Sequence, residues 1–205
     1  MTILDRAETY SIAGLRERFS DTRAPAASTI YCDDEKLPRE DQQRPASVLI
    51  PIIARDEPTV LFTVRASHLR SGSGQISFPG GGAEAGDPTP EHTALRETFE
   101  EIGLQAERVE ILGRLGHYVT RAGYRITPVV GLVQPPLALQ QNTDEVAEIF
   151  EVPLAFLLDP RNHLTHTHQS AGRLRHYFAL QYKDYYIRGV TAGLIVNLHR
   201  YLAGS

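Results

Sequence analysis

The spacing of apolar residues changes period several times along the chain, and each change predicts an element. Residues 47–53, SVLIPII, are almost continuously aliphatic, the pattern of a central strand covered on both faces. Pro51 inside that run predicts a bulge or a position that needs no ladder donor. Residues 60–64 give the next strand, after a turn at Asp56, Glu57 and Pro58. Residues 109–118 and 124–133, rich in β-branched and aromatic side chains, predict two strands joined by a turn at Arg121, Ala122 and Gly123. Pro135 and Pro136 end that hairpin. Residues 148–154, EIFEVPL, predict a short strand turning into a helix, and residues 173–180 and 182–187 a terminal hairpin rich in tyrosine.

Helical spacing occurs three times. Residues 8–19 place Ile12, Leu15 and Phe19 on one face, and residues 191–202 do the same with Leu194, Leu198 and Leu202. Between them, Thr89 is suited to cap a helix that starts at Pro90 and stops at Gly103. Leu95, Phe99 and Ile102 form its apolar stripe, and Glu97, Glu100 and Glu101 fall on the opposite side. Residues 21–43 are polar and proline-bearing and read as a loop or covering arm.

Composition narrows the class. With 205 residues, 41% hydrophobic and 22% charged, the chain suits one medium soluble domain with short extensions. A net charge of −4 gives no broad basic field, which argues against nucleic acid as partner. No apolar run approaches the roughly 20 residues of a membrane span, and MTILDRAETY lacks the pattern of a secretory signal. The single Cys32 excludes an internal disulfide and fits a reducing, cytoplasmic setting. His163, His166 and His168 sit in a tract, HLTHTH, that reads as a surface loop after Asp159 and Pro160 rather than as a metal site.

Three clusters carry candidate chemistry. Glu97, Glu100 and Glu101 repel one another at helical spacing, and either water or a hard cation such as magnesium would relieve that cost. Arg65, His68 and Arg70, interleaved with Gly72 and Gly74, form either a basic surface loop or a phosphate contact. Asp144, Glu145, Glu148 and Glu151 supply a second acidic group, solvated or assisting the first. His117 and Tyr124 could reach a ligand from their strands but read as strand residues with satisfied polar tips.

Residues 78–104, FPGGGAEAGDPTPEHTALRETFEEIGL, resemble the Nudix box of the Nudix hydrolases, G-x5-E-x7-R-E-U-x-E-E-x-G-U with U aliphatic. The charged end matches at Arg96-Glu97, Glu100-Glu101 and Gly103-Leu104. Asp87 stands where the first glutamate is usual, the spacing to Arg96 is longer by one, and Thr98 replaces an aliphatic. Upstream, residues 61–81 resemble the extra motif of the coenzyme A diphosphatase branch, L-L-T-x-R-S followed by R-x3-G-x3-F-P-G-G. Arg70, Gly74, Phe78, Pro79, Gly80 and Gly81 fit it without a gap, and the branch shares the longer spacing and the aspartate. Further matches lie at D-E-V and F-E-x-P-L, where Glu145 meets the branch's glutamate, and at Gly189 to Ala192.

The resemblance implies an α+β fold, a Nudix α/β/α sandwich with a mixed curved sheet, spanning residues 44–205 after an N-terminal helix and arm at 1–43. It implies hydrolysis of the diphosphate of coenzyme A or its derivatives to 3′,5′-ADP and 4′-phosphopantetheine. Mg²⁺ or Mn²⁺ would be held by Glu97, Glu100 and Glu101, with Glu145 as candidate base or auxiliary metal ligand. Arg65 and Arg70 would bind substrate, one of them reading the 3′-phosphate, and Gly80 and Gly81 would bring main chain to the site, offering a carbonyl to the metal. Arg96 would hold a glutamate by a salt bridge. The alternatives are a Nudix pyrophosphatase for another nucleoside diphosphate linked to X, such as ADP-ribose, and a non-catalytic nucleotide-binding Nudix module. A monomer or a homodimer suits either. No lysine followed by serine or threonine comes after the glycines, so a P-loop enzyme is not supported.

Overall fold

The structure, a computed structural model, describes residues 10–21, 30–31, 39–69, 72–170 and 173–204. Cys32, Arg70 and the start of the helix expected from residue 8 lie outside them. In chain order the elements are α1 (Ile12–Ser20), β1 (Ile30–Tyr31), β2 (Arg44–Ile53), β3 (Thr59–Arg65), β4 (Ile76–Ser77), β5 (Gly80–Gly82) and α2 (Pro90–Ile102). There follow β6 (Val109–Arg114), β7 (Tyr118–Val119), β8 (Tyr124–Val133), β9 (Val146–Pro153), α3 (Leu154–Leu157), β10 (Leu164–Ser170), β11 (Arg173–Tyr182), β12 (Tyr185–Arg188) and α4 (Val190–Ala203).

The centre of the main sheet is a parallel pair, β2 with β8, in register from Arg44↔Tyr124 to Ile53↔Val133. Each of these strands has two short partners on its other edge. On β2, β5 pairs at residues 46–48 and β3 only at 52 and 53. On β8, β6 and β7 take opposite ends. Pro51 lies between the two partners of β2, so its missing N–H breaks no ladder there. β3 continues outward between β9 and β4, and β1 runs parallel to β7, giving a mixed, open, nine-stranded sheet among the described residues.

Period-two alternation sends side chains to two cores. Leu49, Ile53, Leu61, Val129 and Val133 meet Ala94 and Ile102 of α2. Ile50, Ile52, Val60, Phe62, Val130 and Leu132 meet α1 and α4 on the far side. Both faces of the central strands are therefore covered, as the unbroken aliphatic run predicts, and the layers are helix, sheet, helix. α4 is buried all round from Thr191 to Leu198, because β10, β11 and β12 form a second sheet beside it. Phe150 joins the two sheets by stacking on Tyr185, with ring centroids 3.7 Å apart.

Four expectations need correction. HLTHTH is not a loop: it enters β10, which pairs with β11 from Leu164↔Ala179 onward and is held by that partner, a contact no local pattern announces. The expected strand at 109–118 is interrupted into β6 and β7: both pair with β8, but residues 115–117 between them belong to neither, and the register already shifts within β6 between Ile111 and Gly113. α1 starts at Ile12, where the Ser11 hydroxyl accepts from the Gly14 N–H. On α2 the buried residues are Thr93, Ala94, Thr98, Glu101 and Ile102, whereas Phe99 is 49% exposed.

α1 is fastened at several points. Leu15 is fully buried in the larger core, Phe19 packs on Tyr201, Arg16 makes a two-pronged pair with Glu110, and Arg18 donates to the Tyr201 carbonyl. Leu15→Ala should therefore cost about 2–5 kcal/mol of stability, the range for emptying a closed aliphatic site. Urea denaturation of the two proteins measures it, and a loss under about 0.5 kcal/mol would mean that α1 is peripheral to the core.

Candidate active site

Helix α2 is well delimited. Thr89 caps it by accepting from the His92 N–H at 3.2 Å, Pro90 takes the first position, and Gly103 closes it in the left-handed conformation. Its neighbour β5 consists of three glycines, so the helix meets bare main chain instead of side chains. That closeness is obligatory. A Cβ on Gly81 would stand 2.5 Å from the Glu97 carboxyl, and one on Gly80, at φ +152°, would strike the Ser47 carbonyl.

Two glutamates are pressed into this contact. Glu101 is only 4% exposed, it accepts a hydrogen bond from the Gly80 N–H, and its Oε2 is buried without a hydrogen-bond partner. Burial pushes its pKa up to about 8, against the pull of Arg65 and with a further push from Glu145 and Glu97. Glu97, one turn earlier, is also raised, chiefly by burial and against Arg96. Glu100 is half-exposed and shares Arg96 with Glu97.

Arg96 organises the loop before the helix. It donates to Asp87 through Nε (3.1 Å) and Nη2 (2.9 Å), to the Gly82 carbonyl (3.0 Å), to Glu97 (3.0 Å) and to Glu100 (3.3 Å). The salt bridge expected of Arg96 is thus present. Asp87 is 3% exposed at its side chain and also accepts from the Glu84 N–H and the Thr93 hydroxyl, with His92 Nδ1 2.9 Å away. These donors, Arg96 first, hold it far below the usual carboxylate range. The sequence motifs leave Asp87 outside the candidate site; its position at the end of a five-residue spacer after Gly81 is the signal that marks it.

The remaining candidates sort by position. The Glu145 segment arrives beside the helix: Asn142 N–H donates to the Glu101 carbonyl (2.9 Å) and Ala66 N–H to the Glu145 carbonyl (2.8 Å). Glu145 is near enough to raise the pKa of both Glu97 and Glu101. Arg65 follows the register shift in β3 and runs beneath Gly72, whose added Cβ would lie 3.4 Å from its Cδ and Nε. From there its charge acts on Glu101. The main chain of Gly80 gives Glu101 a donor. Arg70 is outside the described residues. His117 bonds Thr127, Tyr124 lies under the Arg44 guanidinium, and His163 bonds the Leu157 carbonyl.

Among the described residues, no group of three or more His, Cys, Asp or Glu side chains is gathered closely enough to enclose an ion. What the helix offers a dication is the free Oε2 of Glu101, an acidic set formed with Glu97 and Glu145, and oxygen donors alone. That chemistry fits magnesium or manganese.

Glu101 carries a consequence for stability without metal. A carboxyl whose pKa is raised in the fold holds its proton more tightly folded than unfolded, so stability falls as pH rises from about 4.5 to about 8. In EDTA, Glu101→Gln should become progressively more stable relative to wild type across that window, read by urea denaturation at each pH. A difference that does not vary with pH would mean that Glu101 is not buried as a charge.

The NUDIX domain model matches residues 43–171. The uncharacterized Nudix hydrolase NudL of Yersinia pestis (strain Pestoides F) is 44% identical over 156 residues, which is 76% of this chain and 78% of the relative; the NudL of Yersinia pseudotuberculosis serotype O:1b (strain IP 31758) gives the same values. Among solved structures, a C. elegans Ap4A hydrolase binary complex aligns over 53% of this chain and 80% of its own at 19% identity and TM-score 0.46. A Nudix hydrolase from M. smegmatis, RenU, aligns over 59% and 80% at 23% identity and TM-score 0.46. With the family model covering well over half of the chain and relatives this similar, the chain belongs to the Nudix hydrolase family.

Proposed function

We propose that this Nudix hydrolase cleaves the diphosphate of coenzyme A or its derivatives, giving 3′,5′-ADP and 4′-phosphopantetheine. The observation that carries the reading is where the coenzyme A-type motif lies in the fold. Its arginine end, Arg65, acts on Glu101, and its glycine end, Gly80 and Gly81, lies against Glu101 and Glu97. Arg65, Gly80 and Gly81 of the branch motif thus lie beside Glu97 and Glu101 of the box, which supports the reading.

Nudix hydrolases generally use divalent metal ions. Here Glu97, Glu100 and Glu101 would hold Mg²⁺ or Mn²⁺, which supplies charge neutralisation at the diphosphate and polarisation of water. The other roles fall to the chain. Arg96, anchored on Asp87, fixes Glu97 and Glu100. The Gly80 N–H occupies part of Glu101 and leaves Oε2 available. Glu145 takes the proton as a water oxygen attacks phosphorus; the bridging P–O bond breaks and its electrons leave with the departing phosphate. Arg65 pairs with non-bridging oxygens at the reacting phosphate.

Glu100→Gln and Glu101→Gln should each retain the fold and lose most turnover, and the rise in Tm that Mn²⁺ gives the wild type should shrink, more so for buried Glu101. Near-normal rates at saturating Mg²⁺ in both variants would remove the metal assignment. The substrate is tested with coenzyme A, 3′-dephospho-coenzyme A and ADP-ribose, products read by mass. ADP-ribose as the best substrate would overturn the coenzyme A reading.

Arg65 gives a sharper comparison. An arginine at the reacting phosphate serves every substrate, so Arg65→Ala should lower kcat/KM by roughly ten- to a hundredfold on coenzyme A and on its 3′-dephospho form alike, as expected for losing a contact of about 1.5–3 kcal/mol. Reading of the 3′-phosphate then falls to Arg70, and Arg70→Ala should narrow the wild-type preference for coenzyme A. A selective loss on coenzyme A in Arg65→Ala would exchange the two roles.

A further inference from the structure

The last turn of a helix leaves carbonyls that the helix cannot satisfy. In α2 two of them are taken by one incoming segment: Ile102 O accepts from the Gln140 N–H at 2.8 Å, and Glu101 O from the Asn142 N–H at 2.9 Å. The segment that brings Glu145 is therefore tied to the same turn that carries Glu101.

Asn142 does more than tie it. Its carbonyl accepts from the N–H groups of Glu145 (3.0 Å) and Val146 (2.8 Å), so the chain turns tightly about it. Its Oδ1 accepts from the Asp144 N–H at 3.2 Å, an Asx turn. Its Nδ2 donates to Glu145 Oε1 at 3.4 Å. The far side of the turn is secured by Ala66 N–H on the Glu145 carbonyl. With the main chain of Glu145 held on both sides, the freedom that remains is in its side chain, and the Asn142 amide addresses that side chain.

We propose that Asn142 is a positioning residue that sets the Glu145 carboxylate against Glu101. The role rests on Glu145 being the proton acceptor. A neutral amide suits such a role because it orients one carboxylate oxygen without setting an arginine's counter-charge beside it. One residue thereby links the backbone of a proposed metal-holding glutamate to the side chain of the proposed base. The distance between the two is set by hydrogen bonds to α2 and not by the flexibility of a long loop.

The test is a double-variant cycle with Glu145→Gln, using coenzyme A and Mg²⁺, or ADP-ribose should coenzyme A not be turned over. Glu145→Gln should lower kcat by roughly a hundredfold, within the range for a general base. Asn142→Ala should lower kcat about tenfold with KM little changed, the pattern of a misplaced reacting group. In the double variant kcat should equal that of Glu145→Gln alone, since a positioning residue has nothing left to position. Asn142→Ser, whose hydroxyl can keep the turn to Asp144 but cannot supply the amide donor, should repeat the Asn142→Ala loss at an unchanged Tm. The Mn²⁺-dependent rise in Tm should persist in both Asn142 variants. Full activity in Asn142→Ser and Asn142→Ala, or losses that multiply in the double variant, would overturn the role of Asn142 while leaving Glu145 as base. Normal kcat in Glu145→Gln would overturn the base assignment, and the role of Asn142 with it.

Discussion

The contact between α2 and the three glycines of β5 governs the rest of the site. A strand of glycines offers main chain and no side chains, so a helix laid against it comes close enough for its glutamates to touch backbone. Glu97 fills the space that a side chain on Gly81 would take, and Glu101 is carried inside, where an ionised carboxylate is costly. Burial of that kind is unfavourable for an isolated fold, and the proposed binding of a cation at Glu101 would offset it. The raised pKa of Glu101 and its free Oε2 are two expressions of the same constraint.

Arg96 keeps the cost within bounds. It compensates Glu97 and Glu100 from one side while Asp87 compensates Arg96 from the other, so the cluster is braced as a chain of alternating charges. Asp87 is shorter than the glutamate usual in the family pattern, and the loop is longer by one residue. Its carboxylate nevertheless collects donors from Arg96, Thr93 and the Glu84 main chain, which suffices to hold the arginine in place.

The split of the sheet explains why everything converges here. β2 changes partner from β5 to β3 within a few residues, so the glycine strand and the outer strands diverge from one central strand. Arg65 leaves the end of β3 at a register shift, and Glu145 precedes β9, the partner of β3. The ends of two paired strands thus supply a cation and a carboxylate to a helix lying over the third. The other face of the sheet, covered by α1, α4 and the second sheet, supplies stability and takes no part in this cluster.

Much of this was legible in the residues. The limits of α2, the central aliphatic strand, the closing helix and the pairing of Arg96 with a glutamate all follow from local rules of capping, periodicity and charge spacing, because each depends on neighbours a few positions apart. The resemblance of residues 61–104 to two motifs pointed to the box carboxylates, and the further match at D-E-V pointed to Glu145. The burial of Glu101 was not legible: periodicity chose Leu95, Phe99 and Ile102 for the inner face, and while Leu95 and Ile102 do pack there, contact with the glycine strand carries Glu101 in and leaves Phe99 out. The strand character of HLTHTH likewise depends on β11, and the place of Asn142 between Glu101 and Glu145 on a contact between segments far apart in the chain. A sequence states which local conformations are cheap. Which surfaces press together, and so which charge loses its water, is decided only when distant segments close on one another.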